Sequence, residues 1–179
     1  MSAPAPPRPG KLLAGFFLGH QSLAGQLLQR LEDLFGPIDL VSRWFPFDFT
    51  AYYTREMGRP LFRRMVAFKR LFEQEQLPDV KHLTNAIEAD FTVHGRRMIN
   101  IDPGYLLLER LVLATGKNFS HRIYIGRGIY ADLTLVYRKG KFESLPWTYP
   151  DYADSRLQDF LYKVREKYAH DLKRHQNER

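Results

Sequence analysis

Three stretches of this chain place charged side chains among residues that should be buried, and these could do chemistry. The first is FDFTAYYTREMGRP, with Asp48, Tyr52, Tyr53 and Glu56. The second is RRMINIDPGYL, with Arg97, Asn100, Asp102 and Tyr105. The third is KNFSHRIYIGRGIYADLTL, with Lys117, His121, Arg122, Tyr124, Tyr130 and Asp132. A charge on a half-buried strand is costly unless it is paired. Were the three to converge, Glu56, Glu88, Asp102 and Asp132 would meet Arg97, Lys117, His121 and Arg122. The cations would suit phosphate or carboxylate recognition, and the carboxylates would suit proton transfer or metal binding. Asp102 and Glu88 are the candidate catalytic carboxylates. His121 is the proton-transfer candidate, because imidazole titrates near about 6.5 when unperturbed. Arg97, Lys117 and Arg122 are the anion-binding candidates, with Tyr52, Asn100 and Tyr124 as further substrate contacts. Glu56 and Asp132 are candidate ligands for a divalent metal.

Each residue also has a reading without chemistry. Asp102 could stabilise the turn that Asp-Pro-Gly suggests. Glu88 could be a solvated helix residue, and His121 and Arg122 could face water at the start of a strand. Asp132 could pair across the sheet with Arg122 or Lys141, worth about 0.2–1 kcal/mol and no function. The aromatics of LPWTYPDY (145–152) could plug the last helix onto the sheet, or stack on a base or ring.

The named motifs are absent: no phosphate loop, no G-x-G-x-x-G after a strand, no H-E-x-x-H and no G-x-S-x-G. Gly126-Arg127-Gly128 reads as a hairpin bend. His170 and His175 read as surface residues. The chain has no cysteine, which excludes disulfides, thiolate metal sites and a Cys nucleophile. That fits a reducing cytoplasm. The N-terminus lacks the basic and apolar regions of a signal peptide. The apolar run around Leu106–Ala114 is far shorter than the roughly 20 residues that span a bilayer. Net charge is +7, with six basic residues between Arg55 and Arg70 against Glu56 alone. That run, with the abundant Tyr and Phe, makes an RNA- or DNA-binding module the alternative to a small-molecule site.

The elements follow from periodicity. Residues 1–10 hold four prolines and read as a disordered leader. Leu12–Leu18 reads as a buried strand. Leu23, Leu27, Leu28, Leu31, Leu34 and Phe35 mark an amphipathic helix that stops at Gly36-Pro37. Residues 39–50 read as an edge or bulged strand because Pro46 cannot donate to a ladder. Leu61–Phe68 reads as a strand. A second helix opens at Pro78-Asp79 and stops at Gly95, with Lys81, Thr84, Asn85 and Glu88 on one face. A strand at 97–101 meets the Asp-Pro-Gly turn, and Tyr105–Ala114 reads as a short buried helix. A meander covers 122–142. The last helix starts at Asp154-Ser155 with Ser155 and Gln158 in capping-box spacing, and 171–179 reads as a frayed basic tail. Hairpins and helices without βαβ repetition predict one α+β domain over 11–170, with a mainly antiparallel sheet and packed helices. A protein-interaction domain that docks through the last helix is a third functional reading.

FDFTAYYTREMG, INIDPGYL, KNFSHRIYIGRGIYADLTL and LPWTYPDY, in this order, resemble the bacterial domain-of-unknown-function family 4416 from about Lys11 to Lys167. The resemblance implies no established activity. Some members carry a generic GTP-binding label, which this chain does not support: it has neither a phosphate loop nor N-K-x-D. Families of this kind often place Glu where this chain has Asp132. The expectation carried forward is an enzyme or binding protein acting on a phosphorylated small molecule or nucleotide.

Overall fold

The computed structural model describes residues 3–177. In chain order the first half holds β1 (Gly10–Leu18), α1 (Ala24–Phe35), β2 (Ile38–Val41), β3 (Phe45–Pro46), α2 (Thr54–Met57), β4 (Phe62–Phe72) and α3 (Leu77–Asp90). The second half holds β5 (Thr92–Val93), β6 (Arg96–Arg97), β7 (Ile99–Leu106), β8 (Arg110–Thr115), β9 (Arg122–Gly126), β10 (Ile129–Arg138), β11 (Lys141–Ser144), α4 (Pro150–Ala153) and α5 (Ser155–Asn177). One nine-stranded antiparallel sheet runs β11-β10-β8-β7-β1-β4-β2, with β3 added to β4 and β9 to β10. β5 and β6 form a separate small hairpin. The chain is α+β, as its pattern predicts.

β1 is buried along its whole length, which is why GKLLAGFFL shows no polar alternation. It is the central strand, between β4 and β7. Its side chains alternate between two cores. Leu12, Ala14, Phe16 and Leu18 pack with Leu27 and Leu31 of α1 and Val80 and Ile87 of α3. Leu13 faces the other way, into a cluster with Leu157, Phe160, Leu161 and Val164 of α5. Phe17, on that same second face, packs with Phe47 and Leu61. The stripe that could have docked a partner through α5 is therefore spent inside the molecule.

Four sequence expectations need correction. Tyr105–Ala114 is not a helix but the end of β7, a turn and β8, with Leu107 N–H donating to Arg110 O. Periodicity cannot separate a short apolar helix from two buried strands, and the Glu109-Arg110 interruption was the turn. α3 ends at Asp90, before Gly95. His94 and Gly95 instead make the positive-φ turn of the β5–β6 hairpin. α5 is capped by Asp154, whose Oδ1 accepts the Arg156 N–H at 2.9 Å, and not by Ser155. Finally, Asp102-Pro103-Gly104 makes no turn. It lies inside β7, opposite Gly15, Ala14 and Leu13 of β1.

That last correction explains the site. β7 pairs with β8 only through Gly104, Tyr105 and Leu106. Pro103 has no N–H to offer, and the ladder stops there. Upstream of it β7 and β8 separate, and β8 continues with β10 instead. Ile101 would otherwise present bare backbone to the gap, but α3 covers it. Glu88 Oε1 accepts the Ile101 N–H at 2.6 Å and Lys81 Nζ donates to its carbonyl at 3.0 Å. Two helix side chains stand in for the missing strand.

At the chain ends, residues 3–9 carry no regular structure, yet the Arg8 and Pro9 carbonyls accept hydrogen bonds from Gln74 and Tyr168. The segment read as a tail from 171 is helical through Asn177, with Asp171 and Leu172 buried. Residues 1, 2, 178 and 179 lie outside the described residues. Among the described residues no helix is long and apolar enough to cross a membrane.

Candidate functional site

The gap between β7 and β8 opens into a cavity of about 870 Å³. Its walls come from every polar stretch singled out in the sequence: Tyr52 and Tyr53, Arg97, Asn100 and Asp102, Lys117 and Arg122, and Asp132. α3 adds Lys81, Asn85 and Glu88, β4 adds Arg63, and α4 adds Asp151 and Tyr152, with Tyr149 just before it. One wall is aromatic. Phe17 stacks on Phe47 at 4.2 Å between centroids and meets Tyr53 edge-on. The other wall carries charge.

The charges form two chains of partners. In the first, Glu56 holds Arg97 through both carboxylate oxygens, at 2.8 and 2.9 Å. Arg97 Nη1 donates to Glu88 Oε2 at 2.9 Å and to Asn100 Oδ1 at 3.1 Å. Asn100 donates in turn to Asp102 Oδ1 at 3.0 Å. Asp102 Oδ2 lies 3.6 Å from Arg63 Nη1, and Asp151 Oδ2 lies 2.7 Å from the same nitrogen. Arg97's hydrogen bonds hold the Glu56 carboxyl below the usual range. In the second chain, Arg122 Nε donates to Asp132 Oδ2 at 2.9 Å, its Nη2 to the Tyr149 hydroxyl at 2.9 Å and its Nη1 to the Lys117 carbonyl at 3.0 Å. His121 Nε2 also reaches Asp132 Oδ2, at 3.2 Å.

A family model described as a domain of unknown function (DUF4416) matches residues 8–168. The chain belongs to this family. No curated protein and no solved structure matches it. The chemistry of this DUF4416 chain must therefore be argued from the cavity itself.

Of the predicted site residues, Asp102, Glu88, Arg97, Lys117, Arg122, Tyr52, Asn100 and Asp132 all line the cavity. Their roles divide. Both oxygens of Glu88 are committed, one to the β7 backbone and one to Arg97. Glu88 closes the gap in the sheet. His121 is not among the lining residues; it stands behind Asp132, stacked on Trp147 at 4.7 Å. Tyr124 is exposed and packs on Tyr130 outside the cavity. The two candidate metal ligands are each gripped by an arginine, Glu56 by Arg97 and Asp132 by Arg122. Among the described residues no three of His, Asp and Glu come together as a metal-binding group. Asp132 pairs with Arg122 rather than Lys141, directly across β9 and β10.

The basic run between Arg55 and Arg70 is not one surface. Arg63 is 1% exposed and faces the cavity. Arg64 lies over the Trp44 ring and donates to the Ser42 carbonyl. Lys69 and Arg70 sit near the other end of β4, far along the strand from Arg55 and Arg59.

Arg63, Asp151 and Tyr152 are the residues that sequence reasoning missed as a site. Arg63 has Met65 and Ala67 two and four positions further on, and all three are buried on one face. That period of two was visible in FRRMVAFKRL but was outweighed by the reading of the arginines as a basic patch. Asp151 and Tyr152 were visible only as part of an aromatic plug. Burial raises the Tyr152 hydroxyl well above its ordinary pKa and raises that of Tyr53 likewise.

Proposed function

We propose that the cavity binds a small phosphorylated molecule that carries a planar ring, of the size and charge of a nucleoside monophosphate. The observation that carries this reading is the composition of one half-open pocket. An aromatic wall of Phe17, Phe47 and Tyr53 faces a polar wall whose charges nearly cancel. The volume lies within the roughly 300–1,000 Å³ of small-ligand pockets. Lining cations are Arg63, Lys81, Arg97, Lys117 and Arg122, and lining carboxylates are Glu88, Asp102, Asp132 and Asp151. The surplus is one positive charge with every carboxylate ionised and two with one of them protonated, and either suits a single phosphate group and disfavours a triphosphate.

The two arginines at the cavity rim are already spent on carboxylates, so the anion falls to the lysines. Lys81 gives one proton to Ile101 and Lys117 one to the Tyr52 hydroxyl, which leaves each ammonium with donors to spare. Lys117 also lies over the Tyr52 ring, at 4.9 Å from its centroid. Thermal unfolding in the presence of nucleoside monophosphates, nucleosides, triphosphates and sugar phosphates tests the reading. A monophosphate present at about 100 times its Kd adds about 2.7 kcal/mol, a rise of several degrees. That rise should shrink for the nucleoside and for the triphosphate, and should be lost in Lys117→Met. No rise with any member of the panel, or one that Lys117→Met leaves intact, ends the proposal. A rise confined to RNA and abolished by salt would put the nucleic-acid reading in its place.

A further inference from the structure

The deep end of the cavity contains an arrangement that ligand binding alone does not require. Two carboxylates, Asp102 from β7 and Asp151 from α4, meet a single nitrogen, Arg63 Nη1, at 3.6 and 2.7 Å. Arg63 is 1% exposed, and Asp151 only 5% by side chain. The guanidinium is packed against the rings of Tyr152 and Phe47, at 4.7 and 5.6 Å from their centroids. One cation and two ionised carboxylates would leave a net negative charge, which the buried Asp151 bears at a high cost and the 31% exposed Asp102 at a lower one. One proton on the pair removes that charge.

The other titratable groups here are the Tyr53 and Tyr152 hydroxyls, neutral in their ordinary state. Arg97 reaches Asp102 only through Asn100. Neither supplies a second positive charge. Burial raises the Asp151 carboxyl pKa against the pull of Arg63, and the like charge of Asp102 adds to the rise. Arg63 Nε and Nη2 and Asp151 Oδ2 have no hydrogen bond within the protein, and both residues line the cavity. Buried polar groups of this kind call for a structural or catalytic reason.

We propose that Asp151 holds a proton beside Arg63, and that Asp151, Arg63 and Asp102 form the proton-transfer centre of the cavity, with Asp102 as the member most open to the ligand. Asp102 is the accessible one, 31% exposed by side chain. The step is a proton transfer alone. The proton leaves Asp151 and bonds to an oxygen or nitrogen of the ligand, and Asp151 joins Asp102 as a carboxylate beside Arg63. This deepens the reading of the cavity as a ligand site and rests on it for the identity of the proton acceptor. The pairing itself does not depend on a ligand.

The test uses ligand-free, full-length protein labelled with ¹³C at the aspartate carboxyls. The Asp151 signal should hold its proton above the ordinary carboxylate range, and Asp102→Asn, which removes the like charge, should shift that titration to lower pH. As a second measurement, Asp151→Asn imitates the protonated acid and should keep or raise the melting temperature at neutral pH. An Asp151 signal that titrates in the ordinary range, one that Asp102→Asn does not move, or an Asp151→Asn variant several degrees less stable at neutral pH would each overturn the assignment. Since no ligand is present, failure here leaves the ligand-binding reading standing, and failure to bind monophosphates leaves this titration untouched.

Discussion

Gly15→Ala is the smallest change that tests the packing of the cavity floor. Gly15 lies in the middle of β1, opposite Asp102 on β7 and Met65 on β4. A Cβ there would lie 2.7 Å from Arg63 Nη2, 2.7 Å from Met65 Sδ and 3.1 Å from the Tyr152 hydroxyl. Each neighbour ends a flexible side chain, but all three residues are at most 1% exposed and have nowhere to go. Moving the guanidinium by the better part of an ångström also moves Nη1 away from Asp151. Overpacking of this kind costs about 1–3 kcal/mol. The alanine recovers roughly 0.5–1 kcal/mol through the backbone entropy that glycine loses on folding. The middle of these ranges leaves a net of about 1 kcal/mol of destabilisation, a fall in Tm of about 2–4 °C for a chain of this size. Gly25→Ala is the control. Gly25 is exposed on α1 with no atom within 4 Å of the added Cβ. It should gain about 0.4–1 kcal/mol, and Tm should rise. Calorimetry on both variants decides the matter: equal shifts of the two, or a Gly15→Ala protein as stable as the parent, would refute a tightly packed Arg63–Tyr152 floor.

Other outcomes follow from the ion pairs. Lys11 is fully buried and bonds Asp171 and Asp39 at 2.8 and 2.7 Å. Asp171→Asn leaves it half-paired and should cost about 3 kcal/mol, the low end for breaking a buried pair, by urea unfolding. Burial opposes the charge on Asp171, but Lys11, Lys167 and Arg174 together hold its carboxyl below the usual value. A depressed carboxylate gives stability that is complete above its unfolded pKa and lost as pH falls through the folded one. The wild type should therefore lose stability on acidification below about pH 4, and Asp171→Asn should lose less over that range. Asp151 has the opposite sign. Its raised pKa makes the folded state bind the extra proton, so its contribution falls as pH rises above the ordinary carboxylate value, and Asp151→Asn should flatten that slope. Arg97→Met strands Glu88 against the β7 backbone and should lower stability by about 2 kcal/mol, discounted for Arg97's partial exposure; an unchanged urea midpoint would mean that the Glu56–Arg97–Glu88 chain is dispensable.

The elements with one clear period were readable from sequence, and those whose signals compete were not. The 3.6-residue stripe of α1 leaves one packing solution and is present as expected, whereas the alternation of β10 over Ile129, Ala131, Leu133 and Leu135 breaks at an irregularity between Leu133 and Leu135, which puts Ile129 in one core and Leu135 in the other. Asp-Pro-Gly carries the local chemistry of a turn, but Ile99, Ile101, Tyr105 and Leu106 are buried in a central strand, and tertiary burial overrode the local preference. Convergence of the polar segments could be inferred from the cost of leaving their charges unpaired. Which carboxylate would be free could not, because that depends on where the ladder ends. Glu88 and Asp102 look equivalent as letters. One is consumed by the backbone of Ile101, and the other, one residue beyond that gap, is left with a side of its carboxylate toward the cavity.

The position of Pro103 connects these observations. A strand residue with both N–H and C=O in that place could extend the β7–β8 ladder and close the gap in which the cavity lies. Pro103 withholds the donor, and Gly104, next to it, lets β8 approach where pairing resumes, against the backbone of Val112. The unpaired backbone must then be covered, and Lys81 and Glu88 cover it from α3. Covering it with a carboxylate brings in Arg97, Arg97 brings in Glu56 and Asn100, and Asn100 orients Asp102 toward Arg63. The chain from Glu56 through Arg97, Glu88 and Asn100 to Asp102 is thus a consequence of one interruption in the sheet. Arg97 and Arg63 each answer to two carboxylates, but Arg97 is 28% exposed by side chain and Arg63 only 1%, so water screens the first group and not the second. A chain assembled only to fill a gap would not need Asp151, and for that reason the proton-transfer reading is placed at this end of the cavity and not at Glu88.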